Sequence, residues 1–341
     1  MNTKISIITG TYPPEKCGVG DYTYNLMQTE EAKDWKLYYY TDWSYKTLLK
    51  KIKQLKNSEE DILNIQYPSM GYGYSLVPHF LCLYFSLFSR KKFTVTIHEF
   101  IRMGRKSKMA SMIFLIFAQR LIFTNAFERE AAIQKISFVK KKSSVLKIYS
   151  NIKQSPVLPE ISNRKYDIGY FGLISPLKGI EDFLSVIKQI LVNYPDYRIY
   201  LMGQTQPEYE GFYDKILNEA KEIGITLFLN EDQNFVTETL SNTKLCYLPY
   251  PDGVSERRGS FLAVVLNYCL IVTTEGVFTT KAHHAFCNFS DKSKAADTII
   301  ELLQNKTPEF YKNSQQQQKL FINKEIPKSW EDVAKQYNLL F

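Results

Sequence analysis

Short apolar runs alternate with helical patterns along almost the whole chain. Alternation of this kind is typical of parallel sheets covered by helices, and it predicts an α/β fold made of two Rossmann-like halves. The apolar runs predict strands at Lys4–Thr9, Leu37–Thr41, Ile62–Gln66, Phe93–His98, Arg120–Thr124 and Ser144–Ile148, and then at Tyr166–Gly172, Arg198–Gly203, Thr226–Leu229, Lys244–Pro249 and Leu270–Thr274.

The length and one polar segment predict two domains. A chain of 341 residues is too long for one ordinary hydrophobic core. The segment 151–165 is polar and contains Pro156 and Pro159, which is typical of a linker. We therefore expect domains at 1–155 and 156–325.

The remaining segment, 326–341, has the pattern of an amphipathic helix. A helix with one apolar face needs a surface to lie against. The residues on that face are Trp330, Val333, Ala334 and Tyr337.

Composition excludes several classes of protein. There is no stretch of about twenty apolar residues, the length needed to span a bilayer. Met1–Lys4 runs straight into the first predicted strand, without the apolar region of a signal peptide. The five cysteines are scattered without metal-site spacing, so we expect reduced thiols and a cytoplasmic protein.

The net charge of +8 is unevenly distributed along the chain. Residues 1–150 contain 23 basic and 12 acidic residues, a net +11, so the remainder carries −3. The positive charge of residues 1–150 favours an anionic partner, either a membrane surface or a pyrophosphate-bearing substrate. Nucleic acid is a less favoured partner, because the sequence has no recognisable binding motif for it. The alternative is a set of solvated faces. The basic clusters are Lys50–Lys53, Arg90–Lys92, Arg102–Lys108 and Lys140–Lys142.

The segment Leu76–Phe88 is apolar almost all round. It is too short to cross a bilayer. Two interpretations stay open: a helix that enters a membrane interface, and a helix buried against the sheet.

The segment Tyr12–Asp21 joins the first predicted strand to a helix that begins near Tyr22. Its glycines, Gly18 and Gly20, let backbone approach a ligand closely, and the helix start offers N–H groups to a phosphate. The alternative is a turn that needs glycine only for its backbone angles.

Two further loops carry positive charge at a predicted helix start. Phe171–Gly179 follows the first strand of the second half, and its Lys178 suits a diphosphate. Asp252–Ser260 contains Arg257 and Arg258, and guanidinium groups bind phosphate or carboxylate bidentately. Solvent-exposed side chains are the alternative in both loops.

Polar side chains also end two strands of the first half. His98 and Glu99 follow one strand, and Gln66 and Tyr67 end another. Ligands gather at the carboxyl edge of an open α/β sheet, so these groups are candidates for contacts with sugar hydroxyls. A lone histidine is otherwise more often structural.

These motifs, in this order, resemble the GT-B glycosyltransferases of family 4, which transfer sugars from nucleotide-sugar donors with retention of anomeric configuration. The resemblance covers nearly the whole chain. The family's Gly-Arg-Leu-Ser-Pro-Glu-Lys-Gly stretch matches Gly172–Gly179. The other matching segments are Tyr12–Thr23, Gln66–Pro68, His98–Glu99, Tyr149–Ile152 and the last helix from Trp330.

The chain departs from the family pattern at two places. Leu173 stands where the family has an arginine, so Lys178 alone remains of the usual phosphate pair. Ser255 and Ala263 stand where the family has two glutamates, and Ser-x-Arg-Arg-Gly-Ser resembles a subgroup that lacks both acids. Contacts with the ribose are therefore open, with Glu256 and Glu275 as candidates.

The resemblance implies two Rossmann-like domains that face each other across a cleft, with the C-terminal helix crossing back to the first domain. It implies that the first domain binds the acceptor and the second binds the nucleotide sugar, and that domain closure assembles the site. His98 is then the catalytic contact with the donor sugar. The implied donor-binding residues are Gly18, Val19, Gly20, Lys178, Glu256, Arg257, Arg258, Gly259 and Ser260, and the implied acceptor or sugar contacts are Tyr12, Gln66, Tyr67 and Glu99.

The expected activity is that of a hexosyltransferase in bacterial surface polysaccharide synthesis, of a capsule or O-antigen. The donor is a UDP- or GDP-sugar, and the acceptor is a saccharide, such as one linked to a lipid pyrophosphate. No Asp-x-Asp pair occurs, so we expect neither metal nor cofactor. The resemblance and the basic half imply a location in the cytoplasm or at the inner face of the plasma membrane, and no nucleic-acid partner.

Three other functions compete with this one. A dinucleotide-dependent oxidoreductase is disfavoured, because Gly10, Gly18 and Gly20 do not form Gly-x-Gly-x-x-Gly. A GT-B epimerase or phosphorylase shares the fold but not the acceptor. A non-catalytic scaffold is compatible with the loss of both glutamates.

Overall fold

The chain divides into two compact units in a computed structural model that describes residues 4–15, 17–205 and 209–341. Unit 1 joins the residues up to Tyr149 to the segment Pro327–Phe341, and unit 2 is Ser150–Ile326. Each unit contains one six-stranded sheet whose paired strands are all parallel. The predicted α/β class is therefore confirmed.

The strands of each sheet lie where the apolar runs predict them. Most strand ends differ from the predicted ends by no more than two residues. Sheet 1, in unit 1, contains β1 (Ile5–Thr9), β2 (Lys36–Tyr39), β3 (Ile62–Tyr67), β4 (Lys92–Ile97), β5 (Arg120–Phe123) and β6 (Ser143–Val145). Sheet 2, in unit 2, contains β7 (Tyr166–Leu173), β8 (Ile199–Gln204), β9 (Thr226–Leu229), β10 (Thr243–Leu248), β11 (Leu270–Thr273) and β12 (Cys287–Phe289).

Helices connect the strands. Unit 1 contains α1 (Gly18–Met27), α2 (Leu48–Lys56), α3 (Val77–Phe88), α4 (Arg105–Phe117), α5 (Ala126–Lys135), α6 (Val139–Lys142) and, at the C-terminal end, α14 (Trp330–Leu339). Unit 2 contains α7 (Ile180–Asn193), α8 (Glu210–Glu222), α9 (Gln233–Ser241), α10 (Gly259–Leu266), α11 (Lys281–His284), α12 (Ala295–Gln304) and α13 (Pro308–Glu325). Short 3-10 helices lie at Glu30–Ala32, Tyr45–Thr47, Met70–Tyr72 and Ile161–Asn163.

Strand β12 was not predicted. It has only three residues, it pairs with β11 at the edge of sheet 2, and Asn288 interrupts its apolar side chains. A three-residue strand is too short to show the alternation of apolar and polar side chains that predicts a strand, which extends over about four residues or more.

Two hydrophobic clusters cover sheet 1. Ile7 belongs to one cluster and Ile8 to the other, because successive side chains of a strand point to opposite faces. The same alternation separates Ile122 from Phe123 in β5. Sheet 1 is therefore buried on both faces, which explains why its strands are nearly continuous apolar runs.

The C-terminal helix α14 packs on unit 1, as the amphipathic pattern predicts. Val333, Ala334 and Tyr337 are completely buried in the cluster that contains Ile5 and Ile7. The ring of Trp330 meets the ring of Tyr22 edge-on, at 5.2 Å between centroids. The surface that this helix needed is therefore one face of sheet 1 together with α1.

Helix α3 is buried against the sheet on its inner side, as one of the two interpretations of the apolar segment 76–88 predicts. Its inner side packs on sheet 1, where Leu81 and Phe85 are completely buried. Its outer side is apolar as well, because Phe80, Leu87 and Phe88 are 40%, 55% and 73% exposed. The segment is thus a core helix that also presents an apolar outer face.

The basic clusters of unit 1 are only partly solvated. In each of the four clusters, one lysine donates hydrogen bonds to backbone carbonyl oxygens. Lys51 reaches Asp42, Lys91 reaches Ser58 and Glu60, Lys108 reaches Ile101, and Lys142 reaches Ile116 and Ala118.

The other cluster members are largely at the surface. The exposed cations are Lys50, Lys53, Arg90, Lys92, Arg102, Arg105, Lys106, Lys140 and Lys141. Within the described ranges, no helix combines the length and the apolar character that a membrane crossing requires.

Candidate functional site

The strand order of each sheet reverses at one place. Sheet 1 runs β2-β1-β3-β4-β5-β6, so the reversal lies between β1 and β3. Sheet 2 runs β12-β11-β10-β7-β8-β9, so the reversal lies between β7 and β10. Open α/β sheets bind ligands outside the carboxyl ends of the strands at such a reversal. The predicted site residues follow these strands or their direct neighbours.

In unit 2, Gly179 fixes the loop between β7 and α7. Its φ is +79°, and a Cβ atom at this position would lie 1.9 Å from the carbonyl oxygen of Pro249. Only glycine fits there without strain and without displacing the backbone that follows β10. The loop that carries Lys178 therefore begins its helix directly beside the loop that carries the arginine pair.

Lys178 itself is half-buried in this loop. The buried hydroxyl group of Tyr170 donates to the carbonyl oxygen of Lys178, at 3.0 Å, and so holds its backbone. The preceding residue, Leu177, is 83% exposed and has a φ of +63°, which is rare for a leucine. Backbone of this kind is frequently found at functional sites, where the surrounding structure holds it.

Arg258 holds together the loop that follows β10. Its guanidinium forms an ion pair with Asp252, donates to the carbonyl oxygen of Gly253 at 3.2 Å and lies 4.0 Å from the ring centroid of Tyr250. Only 11% of the side chain is exposed. A guanidinium that is largely buried and paired with a carboxylate has less charge to offer a diphosphate, so this geometry differs from the expected donor contact.

The other arginine of the pair stacks on an aromatic ring. Arg257 is half-buried, and its guanidinium lies 4.6 Å from the ring centroid of Phe278. Stacking on an aromatic face orients a guanidinium. Arg257 therefore stays a candidate for the predicted contact with an anion.

The remaining predicted donor contacts of unit 2 lie at the start of α10. Gly259 is exposed, while Glu256 and Ser260 are half-buried. The hydroxyl group of Ser260 is hydrogen-bonded to the hydroxyl group of Tyr250, at 2.7 Å. Burial raises the pKa of Tyr250 to about 12, so that hydroxyl group stays protonated.

The two positions that lack the family's glutamates are interior. Ser255 is 2% exposed and Ala263 is completely buried in α10. Small side chains fit these positions, where a carboxylate would have to be desolvated. Of the proposed replacements, Glu275 is exposed, and its Oε1 lies 3.1 Å from Nε2 of His284.

In unit 1, the glycine-containing segment forms the loop after β1 and the first turn of α1. The helix begins at Gly18 after Cys17, which provides no side-chain cap. A Cβ atom on Gly18 would meet nothing within 4 Å, and one on Gly20 would approach the carbonyl oxygen of Thr11 at 3.2 Å. Neither glycine has a positive φ, so backbone angle does not explain them. Val19 is half-buried, and Lys16 lies outside the described residues.

His98 follows β4 at the carboxyl edge of sheet 1 and is half-buried. Its Nε2 lies 2.9 Å from Oε1 of Gln66, and its ring meets the ring of Tyr22 edge-on at 4.8 Å between centroids. Burial lowers the pKa of His98 to about 3, because desolvation disfavours the charged imidazolium. The ring is therefore neutral at neutral pH.

The structure differs from the expectation at Gln66 and Tyr67. Gln66 is completely buried, and its amide nitrogen donates to Oδ1 of Asn64, at 2.6 Å. Tyr67 is 7% exposed and its ring packs against Phe114. Both side chains belong to the interior beneath the edge, so Gln66 contacts the candidate residue His98 and does not itself reach a saccharide.

Two predicted acceptor contacts are more accessible. Tyr12 is half-buried in the loop after β1, where its ring lies against the rings of Tyr24 and Tyr39. Burial raises the pKa of Tyr12 above its ordinary value. Glu99 is half-buried at the end of β4.

Two residues beside these edges were missed from the sequence. The first is Asp252, which forms an ion pair with Arg258. The second is Tyr337 of α14, whose hydroxyl oxygen lies 2.6 Å from Oγ1 of Thr96 in β4. Asp252 stands six residues before Arg258, a spacing without a recognised motif. The amphipathic pattern of the tail placed Tyr337 on the buried face but gave no sign of its polar partner.

No protein-family model matches the sequence, and no curated protein matches it. Solved structures do match its fold. HepE of Anabaena in complex with UDP is 12% identical, with a TM-score of 0.72 and 98% of each chain covered. A glycosyltransferase from Rickettsia africae is 10% identical, with a TM-score of 0.70, covering 98% of this chain and 97% of that one. Sucrose-phosphate synthase of Thermosynechococcus elongatus is 14% identical, with a TM-score of 0.70, covering 99% and 98%.

Similarity at these identities is a similarity of fold, and it extends over nearly the whole chain. Membership of family 4 and the roles of the individual site residues stay predictions. The two parallel six-stranded sheets, with the C-terminal helix returned to the first unit, have the GT-B fold of glycosyltransferases.

Proposed function

We propose that the protein is a hexosyltransferase that moves a sugar from a UDP- or GDP-sugar to a saccharide acceptor with retention of configuration. The observation that carries this proposal is the pair of cations at the strand-order reversal of sheet 2. Lys178 follows β7 and Arg257 follows β10, the two strands between which the order reverses. The fold supports it, since HepE of Anabaena was solved with UDP and with UDP-glucose.

In this proposal unit 2 binds the nucleotide diphosphate. Lys178 and Arg257 neutralise the charge that develops on the departing diphosphate, a form of electrostatic stabilisation that acts in the transition state. Arg258 holds the loop that presents Arg257, through Asp252 and Gly253. Cationic side chains supply this charge, so we expect transfer to continue in the presence of a chelator.

Unit 1 contributes polar side chains and backbone N–H groups. His98 contacts a hydroxyl of the donor sugar close to the reacting carbon, while Tyr12 and Glu99 contact the acceptor. The Gly18–Gly20 turn offers backbone N–H groups to an anionic group of the substrate. Departure of the diphosphate and attack by the acceptor hydroxyl on the same face of the sugar need no enzyme nucleophile.

A thermal-shift screen tests the nucleotide site. A ligand that binds only the folded protein raises the melting temperature, so one of UDP, GDP, ADP and TDP is expected to do so at millimolar concentration. Lys178→Ala should reduce that shift, because it weakens nucleotide binding. Lys188→Ala is the matched control, because Lys188 is an exposed lysine of α7, the helix that follows Lys178. The absence of any shift in the wild-type protein would contradict the proposal.

Product analysis then tests the reaction. Incubation of the matching nucleotide sugar with a lipid-pyrophosphate-linked saccharide should give an extended saccharide with the donor's anomeric configuration. Conversion of the nucleotide sugar without any acceptor would identify an epimerase or phosphorylase instead. Binding without any turnover would favour a non-catalytic scaffold, which the buried Ser255 and Ala263 in place of acids make a specific alternative.

We further propose that the acceptor is presented at an anionic membrane surface and that helices α2, α3 and α4 face it. These helices are neighbours in unit 1. Neither 43–58 nor 70–98 contains an acidic residue. The same helices also expose apolar side chains: Leu49, Phe80, Leu87, Phe88 and Met109 are 78%, 40%, 55%, 73% and 74% exposed. Cations flanking exposed apolar side chains suit a bilayer with acidic lipids.

Vesicle sedimentation tests this surface. The protein should sediment with vesicles that contain phosphatidylglycerol and not with pure phosphatidylcholine. Salt at 0.5 M should weaken binding, since the screening length is only about 4 Å at that concentration. Phe88→Ser should weaken binding several-fold. Val192→Ser is the control, because Val192 is 77% exposed on α7 of unit 2. Equal losses in both variants would show that the α3 surface is not the membrane contact.

A further inference from the structure

A buried hydrogen-bond network lies beneath His98 in unit 1. Asn64, Gln66, Thr96 and Tyr337 are completely buried, and Thr94 is 1% exposed. The network joins β3, β4 and the C-terminal helix α14. Its members are amide and hydroxyl groups, and it reaches the sheet edge through the contact between Gln66 and His98.

The donors and acceptors of this network can be assigned in order. Thr96 donates to Oδ1 of Asn64 at 3.0 Å. A threonine hydroxyl group has a single hydrogen, so the Tyr337 hydroxyl group donates to Thr96 across their 2.6 Å contact. The amide nitrogen of Asn64 donates to Oγ1 of Thr94 at 2.9 Å, and Oδ1 of Asn64 also accepts from the amide nitrogen of Gln66.

This assignment fixes the amide of Gln66. Its nitrogen faces Oδ1 of Asn64, so its oxygen faces His98 and can only accept a hydrogen bond there. Nε2 of His98 must then carry the ring hydrogen. The other ring nitrogen, Nδ1, has no hydrogen-bond partner among the described residues, and the His98 side chain is half-buried at the sheet edge.

We propose that Gln66 is a positioning residue that holds His98 in the Nε2–H tautomer, and that Nδ1 of His98 is thereby presented as an acceptor for a hydroxyl of the bound sugar. Tyr337 sets the orientation of Gln66 through Thr96 and Asn64 and by accepting from the Gln66 amide nitrogen, at 3.5 Å. Only the presentation of Nδ1 to the sugar rests on the proposed function. The tautomer and its dependence on Gln66 and Tyr337 are properties of the free protein.

Nitrogen NMR of histidine-labelled protein tests the proposal. The chain has four histidines, and the His98 signals are identified by their loss in His98→Gln. At pH 7, long-range hydrogen–nitrogen correlations should show a protonated Nε2 and an unprotonated Nδ1. In Gln66→Leu, which removes the acceptor, the Nδ1–H form should appear as a new or shifted pair of signals.

Tyr337→Phe and Tyr22→Phe form a matched pair. Each removes one buried hydroxyl group and keeps its ring, and the two oxygen atoms lie 3.4 Å apart. Only the Tyr337 hydroxyl group contacts Thr96. The Nδ1–H form should therefore become detectable in Tyr337→Phe, whereas Tyr22→Phe should leave the tautomer unchanged.

An Nδ1–H ring in the wild-type protein overturns the proposal, and this measurement needs no variant to fold. An unchanged tautomer in folded Gln66→Leu also overturns it, and an unchanged tautomer in Tyr337→Phe removes Tyr337 from it. If the tautomer is as expected while no nucleotide diphosphate binds, the positioning stands and the proposed function fails.

Discussion

The carboxyl edges of the two sheets are built from different chemistry. At the edge of sheet 1, His98 is neutral and rests on amide and hydroxyl groups without a charged neighbour in the network. At the edge of sheet 2, Lys178 and the arginine pair supply positive charge, part of which Asp252 compensates. The same type of sheet thus carries a neutral hydrogen-bond network at one edge and positive charge at the other.

This difference teaches how the two edges should respond to change. A neutral network depends on donors and acceptors being complete, because an unpaired buried polar group costs about 1–3 kcal/mol. Anion binding at a cationic edge depends on the backbone that positions the charges and on the ionic strength of the solution. The following experiments test whether the edges are separable in this way.

The largest effect is expected from Gly179→Ala, which should lower the free energy of unfolding of unit 2 by about 3 kcal/mol, since both positive-φ strain and overlap with Pro249 contribute. Gly224→Ala is the control. Gly224 also has a positive φ, +77°, but a Cβ atom there meets nothing within 4 Å, so we expect a loss of about 1 kcal/mol.

Urea unfolding separates the units in this experiment. The three tryptophans, Trp35, Trp43 and Trp330, all belong to unit 1, so their fluorescence reports that unit, while far-ultraviolet circular dichroism reports both. The dichroism transition should move in Gly179→Ala and the fluorescence transition should not. Equal movement of both would show that the units unfold together.

The next largest effect is expected from removing one candidate side chain at each sheet edge. His98→Ala should lower turnover about 100-fold, or ~2.7 kcal/mol, and change nucleotide affinity less than twofold. Lys178→Ala should instead weaken nucleotide binding about 10-fold and reduce its salt dependence. Kinetics with isothermal titration measure both. Loss of nucleotide affinity in His98→Ala would contradict the division of roles.

The smallest effect is a dependence of stability on pH. Burial lowers the pKa of His79 to about 4 and of His98 to about 3, below the unfolded value of about 6.5. The unfolded state therefore binds these protons first, and stability is complete above about pH 6.5 and falls as the pH is lowered. At pH 5.5 each histidine should cost about 1.4 kcal/mol.

His79→Phe isolates one of these contributions. The ring of His79 stacks on Phe114 at 4.4 Å, and both of its nitrogens are buried without a hydrogen bond. Phenylalanine keeps the shape and cannot be protonated, so tryptophan-detected unfolding of this variant should depend less on pH between 7.5 and 5.5. An unchanged dependence would show that His79 is already charged or solvated in the folded state.

The sequence predicted local features well and long-range contacts poorly. The strands of both sheets and the apolar face of α14 follow from periodicity, which is a local property of the chain. Glycine and cation positions likewise indicated the loops that follow β1, β7 and β10 as candidate binding loops. The partners of those residues did not follow, because Tyr337 is 241 residues from Thr96.

Burial explains the remaining differences. Gln66 at a strand end looks like a ligand contact, but the helix α14 covers it and assigns its amide to the interior. Arg257 and Arg258 are adjacent and chemically identical, yet Arg258 contacts Asp252 and the carbonyl oxygen of Gly253 while Arg257 stacks on Phe278. Such choices depend on packing, which a pattern of residue types does not contain.

The return of α14 to unit 1 also orders events during synthesis. Val333, Ala334 and Tyr337 complete one cluster on sheet 1, yet the ribosome makes them after all of Ser150–Ile326. Unit 2 is therefore a whole folding unit in the nascent chain while one face of sheet 1 still lacks these three side chains. A chaperone that binds exposed apolar surface would find its target on unit 1 until α14 has been made.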